Sequence, residues 1–234
     1  MNTNKNSYIL IYSAVLVVVV AFLLAFVYAA LKPQQDINVA LDKKKQILAA
    51  LNIRNVADEE AARKYNDVVE ADMIIDADAN ITDTGSKGGE DAAFKLNSAD
   101  YKQGKLAVYV CNVEGQRKYV IPVYGMGLWG PIWGYIALDA DKNTIYGAYF
   151  NHESETAGLG AEIKDSKAWQ EQFKGKRIFL EGSDKIAIAV RKTSDIRNPN
   201  SECDAVTGAT LTSDGVSLML QECFNKYVKY LKNI

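Results

Sequence analysis

Four hydroxyl side chains, Thr207, Thr210, Thr212 and Ser213, crowd around Gly208 and Ala209 in the stretch DAVTGATLTS, residues 204–213. The small residues leave the backbone open to an approaching group, and a helical pattern follows directly. A helix start presents N–H groups without intrahelical acceptors at the positive end of the dipole, so this stretch suits a phosphoryl group held without lysine. The same residues also read as an ordinary helix start, with Ser213 as the capping residue and Asp214 in the first turn.

Two further segments could meet a ligand. NHESETAGLGAEI, residues 151–163, gathers His152, Glu153, Glu155 and Thr156 just before Gly158-Leu159-Gly160, so polar groups adjoin a backbone able to pass close to a bound molecule. Acid–base work by Glu153 and Glu155 has weak support, because residues two apart share a face only on a strand. A metal site built from His152 and these carboxylates is equally weak, and Gly-Leu-Gly lacks the third glycine and helical context of a dinucleotide fingerprint. YGMGLWGPIWGY, residues 124–135, sets Trp129 and Trp133 among four glycines and a proline. It reads either as a hairpin whose tryptophans fill the core or as a platform for a flat aromatic ligand.

Short β-type runs must carry these segments: Leu106 to Val113, Lys118 to Tyr124, Gly134 to Leu138 and Thr144 to Phe150, separated by turn residues. They predict an antiparallel meander covered by helices, hence an α+β domain. A short helix is expected near Ser166 to Phe173 and a strand at Lys185 to Val190. A terminal helix is expected from about Ser213 to Lys232, with Val216, Met219, Leu220, Cys223, Tyr227 and Leu231 along one side. Upstream, Val39 to Leu51 predicts an amphipathic helix with Lys43 to Lys45 on a solvated face, and Ala57 to Asn66 a second helix. The polar, acidic stretch 76–93 reads as a loop.

Charge and composition narrow the function. The 27 Lys and Arg against 29 Asp and Glu give no basic surface for nucleic acid. One histidine and three widely spaced cysteines exclude a His-rich metal centre and imply no disulfide framework or redox dithiol. From Tyr8 to Leu31 there are 24 uncharged residues, enough to cross the hydrocarbon core of a bilayer as one helix and too long for the apolar part of a signal peptide. Lys5 and Lys32 bracket the run. The expected organisation is an N-terminal segment with one transmembrane helix, residues 1–34, and a soluble domain, residues 35–234. By positive charge alone, Lys43 to Lys45 would place that domain inside.

With these three segments and the anchor, the chain resembles the NqrC family, the FMN-binding subunits of the sodium-translocating NADH:quinone reductase. It resembles less closely the related RnfG proteins of the Rnf electron-transport complex; the Trp-rich segment favours the former. In that family D-x-x-[ST]-G-A-T, here Asp204 to Thr210, is the flavinylation pattern, and its last threonine takes FMN through a phosphoester. The family usually carries a proline where this chain has Ala157, which frees φ at one loop position and removes no polar group. The resemblance implies covalent FMN on Thr210, with Asp204, Thr207, Gly208, Ala209, Leu211, Thr212, Trp129, Gly130, His152, Glu153, Thr156, Gly158, Leu159 and Gly160 around the cofactor or its attachment. It implies no metal held by this chain. It further implies a flavin transferase using FAD and a divalent metal, partner subunits of a six-subunit complex, and electron relay towards quinone with no complete reaction by this subunit alone. It places the flavin domain on the periplasmic side of the bacterial inner membrane, against the charge bias. The competing readings are an Rnf-type subunit, a membrane-tethered binding module without redox chemistry, and a hydrolase with a threonine nucleophile, which a single histidine serves poorly.

Overall fold

The structure is a computed structural model that describes residues 6–97, 100–101 and 103–232; Lys5 lies outside them. The chain divides into two compact units between Lys43 and Lys44. The first belongs to helix α1, Asn6–Ala50, which runs on through Pro33. It contains a window of mean hydropathy 3.0 with none of it buried, so by length and composition it can cross a membrane. The separate amphipathic helix expected at residues 39–51 is instead the end of this one helix. Proline is tolerated because only one i→i−4 bond is lost and α1 has turns to spare on either side.

The second unit is α+β. Helix α2, Asp58–Val68, leads into β1, Val69–Ile75, followed by β2, Ile81–Thr84. Strands β3, Leu106–Val113, β4, Gln116–Met126, β5, Pro131–Leu138, and β6, Ile145–His152, form the meander. Together they make a six-stranded antiparallel sheet in the order β2-β1-β3-β4-β5-β6. Short helices α3, Glu162–Asp165, and α4, Lys167–Glu171, follow β6. Strands β7, Ala189–Arg191, and β8, Glu202–Asp204, pair in parallel, and α5, Thr210–Lys232, closes the domain.

Both faces of the sheet are covered along β3 to β6, which is why those strands carry apolar runs rather than a clean alternation. Leu106, Val108, Ile121, Val123, Ile132 and Ile136 bury one face with Val216, Met219, Leu220 and Phe224 of α5. The intervening residues Ala107, Tyr109, Val120, Tyr135 and Ala137 bury the other with Ile47, Leu48, Leu51 and Tyr65. Each fully buried large apolar side chain contributes about 1.5–3 kcal/mol by leaving water.

The strand expected at Lys185 to Val190 is confined to β7, Ala189–Arg191, with Ile186 only in an isolated bridge to Phe179, and three further expectations are corrected here. The stretch 76–93 is not all loop. It contains β2, whose four residues are exposed and so lack the apolar signal of a strand. Its remainder is tied down by Asp72, fully buried, whose Oδ2 accepts from the N–H groups of Ala92 (2.9 Å) and Phe94 (2.8 Å). The lysine run is not simply a solvated face: Lys44 is 8% exposed, pairs with Glu90 at 2.8 Å and lies over the Tyr65 ring. The terminal helix starts at Thr210, so Ser213 is not its cap. Ser213 is buried inside the first turn, and its Oγ accepts from the Val206 N–H at 3.0 Å, upstream of the helix.

Candidate functional site

The strands converge on the end of the sheet where β4 turns into β5 and β6 ends. Residues 127–130 make the first turn, closed by the Gly127 N–H to Gly130 carbonyl bond at 2.8 Å. Register then assigns opposite fates to the two tryptophans of the glycine-rich segment. Trp133 pairs within the sheet and its indole N–H donates to Gln46 Oε1 at 3.0 Å. Trp129 sits on the turn and is 65% exposed.

After β6 the chain forms a second turn. His152 Nδ1 accepts from the Glu155 N–H at 3.1 Å, and the Thr156 carbonyl accepts from the N–H groups of Leu159 and Ala161. With its Nδ1 lone pair so used, the imidazole shapes the loop. The third segment is fixed from both sides. The Trp169 indole donates to the Asp204 carbonyl at 2.7 Å, and the Asp204 N–H donates to Gln172 Oε1 at 2.9 Å. Val206 and Ala209 point into the core, while Thr207, Gly208 and Thr210 are exposed. Gly208 has φ +78°, a left-handed conformation that lets the chain turn sharply into α5 without strain. Thr210 is thereby the first residue of a 23-residue helix, with its hydroxyl at the dipole's positive end.

The three segments enclose a cavity of about 320 Å³. Leu128 and Trp129 line it from the first, Glu155, Thr156, Leu159 and Gly160 from the second, and Gly208 to Thr212 from the third. The wall is mostly apolar and takes in the first residues of α5, whose N–H groups lack intrahelical acceptors, a composition suited to a flat ligand with an anionic tail. Among the described residues no three His, Cys, Asp or Glu side chains come together as a metal site.

Of the residues singled out in the sequence, Trp129, Thr156, Leu159, Gly160, Gly208, Ala209, Thr210, Leu211 and Thr212 meet at this cavity. Asp204, Thr207 and Gly158 line a neighbouring depression of about 530 Å³ together with Trp169, Gln172 and Glu162. Asp204 Oδ1 has no hydrogen-bond partner there. His152 and Glu153 are not in either wall, and Gly130 packs against Ser154, whose Oγ leaves no room for a side chain. Sequence reasoning passed over Leu128 and set Glu155 aside as half of an unconvincing acid–base pair.

Just before the segment, Glu202 holds the 196–204 turn. Its Oε1 accepts from Arg191 Nε at 2.8 Å, and its Oε2 from the N–H groups of Arg197 (2.6 Å) and Asn198 (2.7 Å). Burial works against ionisation of this carboxyl, but the Asn198 and Arg197 N–H groups and Arg191 outweigh it and hold the group below the ordinary glutamate range. Burial pushes the neighbouring Cys203 thiol up to about 12.

The FMN-binding domain family matches residues 127–225, which run from the β4–β5 turn through most of α5 and take in all three segments that line the cavity. The NqrC protein of the Na(+)-translocating NADH-quinone reductase of Haemophilus ducreyi is 35% identical over 204 residues, covering 80% of this chain and 77% of the relative. Its Neisseria meningitidis counterpart is 29% identical over 95% of this chain and 94% of its own length. The crystal structure of the NqrC protein from Parabacteroides distasonis superposes with a TM-score of 0.79 at 38% identity, covering 87% of this chain and 98% of that one. NqrC of Shewanella oneidensis, 24% identical with a TM-score of 0.67, shares the fold. The chain belongs to the NqrC family of the Na(+)-translocating NADH-quinone reductase.

Proposed function

We propose that this chain is the electron-relay subunit of a sodium-translocating NADH:quinone reductase, carrying FMN as a phosphoester on Thr210. The observation that carries the reading is that Thr210, an exposed residue and the first of α5, lies on the wall of a cavity within a region that matches the FMN-binding family. When bound, FMN supplies one-electron exchange between a donor in the complex and the next flavin on the route to quinone. The protein's own residues attach and surround it. In the attachment step a flavin transferase presents FAD. Thr210 Oγ loses its proton and bonds to the phosphorus nearest riboflavin, the phosphoanhydride bond breaks, and AMP leaves. The α5 start favours the remaining negative charge, while Trp129, Leu128 and Leu159 offer apolar area to the ring. Asp204, turned to the neighbouring depression, serves recognition by the transferase. The apolar part of α1 anchors the chain in the bacterial inner membrane, and the flavin domain lies on its periplasmic side. C-terminal cleavage by protease added to spheroplasts, whose inner membrane is intact, supports that placement, and protection overturns it.

The full chain coexpressed with the transferase should give a fluorescent band on a denaturing gel under ultraviolet light. Its intact mass should rise by one FMN less water, and Thr210→Ala should abolish both. A dark wild-type band at the unmodified mass would instead make the domain a tethered binding module without a covalent flavin.

A further inference from the structure

We infer that Glu155 is the positioning residue of this site: its carboxylate splints the Trp129 turn to the first turn of α5 and so holds the cavity wall and the helix start of Thr210 in register. The inference rests on the flavin reading above, though its geometry does not need the cofactor. Glu155 is 7% exposed. Its Oε1 accepts from the Trp129 N–H at 2.9 Å, and its Oε2 from Thr212 Oγ1 at 2.6 Å. Its own N–H is held by His152 Nδ1, so backbone and side chain are both fixed. One side chain therefore joins the turn after β4, the loop after β6 and the start of α5.

The glycines around it support the same conclusion. A Cβ at Gly127 would collide with Oε1 of Glu155, and one at Gly160 would collide with Oε2 and lie 2.6 Å from Thr212 Oγ1. Two glycines that look in sequence like openings for a ligand are the walls of a slot for a carboxylate. A buried carboxyl group is costly unless its oxygens are bonded. Both bonds run to segments lining the cavity, so the requirement that stabilises Glu155 also assembles the site.

Glutamine at this position can keep both contacts, with Oε1 accepting from Trp129 and the amide nitrogen donating to Thr212. Aspartate is one methylene too short to reach both, and alanine reaches neither. In the flavin-free full chain in detergent, Glu155→Ala and Glu155→Asp should raise the hydrogen-exchange rate of the Trp129 amide about tenfold, the loss expected for one hydrogen bond. Glu155→Gln should stay within about twofold. In the flavin-loaded chain the first two should lose the visible circular dichroism of a held flavin, and Gln should restore it. If Ala and Asp fail to fold, Thr212→Val decides, since it cuts the splint at its other end and should also abolish the dichroism. Wild-type exchange and dichroism in Ala, Asp or Thr212→Val would overturn the proposal, as would a Gln variant as damaged as Ala. Failure of the flavin reading is separately visible, because then wild type gains no FMN mass while the Trp129 exchange pattern still reports the splint.

Discussion

Two equally buried glutamates hold the chain on either side of the Thr210 segment, Glu202 before it and Glu155, through Thr212, after it; each is 7% exposed. Glu202 is the more fully bonded of the two, taking two backbone N–H groups and the guanidinium of Arg191. Glu155 takes one backbone N–H and one hydroxyl, and no ion pair among the described residues includes it. Equal burial with such different partners indicates different work. The Glu202 knot secures a turn against unfolding, whereas the Glu155 bridge, whose partners Trp129 and Thr212 both line the cavity, sets that cavity's shape.

The largest effect that could break this contrast is on stability. Glu202→Ala leaves the Arg197 and Asn198 N–H groups without their acceptor. The expected cost is about 1–3 kcal/mol, with the half-exposed Arg191 contributing little because water screens it. For a chain of this size each kcal/mol lowers the melting temperature by roughly 2–4 °C. Melting curves should therefore shift clearly for Glu202→Ala, while the visible dichroism of the loaded flavin, per folded molecule, stays as in wild type. Loss of that dichroism equal to the loss in Glu155→Ala would collapse the distinction between the two knots.

A smaller effect sharpens it through pH. The folded Glu202 carboxyl lies below its ordinary value of 4.5, so its contribution is fully present above that value and is lost as pH falls through the lowered folded value. The difference in urea midpoint between wild type and Glu202→Gln should be constant from about pH 7 to 5 and close as pH drops below about 4.5. A gap that widened on acidification would contradict the assigned bonding.

How these sites appear in sequence follows from the range of the contacts. The meander was legible because each strand of 106–150 carries its own apolar run and is bounded by turn residues. The Thr210 motif was legible because hydroxyl groups beside Gly208 and Ala209 are a local pattern. By contrast, Asp72 reaches Ala92 and Phe94 across twenty residues, and nothing near Asp72 foretells it. Ser213 looks like a cap because capping serines precede the N–H groups they accept from, but here the bonded N–H, of Val206, lies upstream. Glu155 was hidden for the same reason: its partners Trp129 and Thr212 lie on other segments, and the slot between Gly127 and Gly160 exists only once β4, β5 and β6 have paired.

The smallest expected signal comes from Cys203, next to Glu202. Its side chain is 1% exposed, its Sγ lies 3.6 Å from the Gln172 carbonyl, and burial pushes its thiol up to about 12. With the thiolate so disfavoured and the side chain buried, alkylation in the folded chain should be negligible on the timescale that completes it in urea. The Glu202 knot adjoins this strand, and its removal has two separable consequences. If it guards only global stability, labelling of Cys203 in Glu202→Ala should rise in step with that of Cys111, which is also fully buried and lies in the central sheet. If it guards the 196–204 turn locally, Cys203 should label ahead of Cys111. The second outcome is expected, because the three donors of Glu202 all lie in residues 191–198 and none lies in the six-stranded sheet.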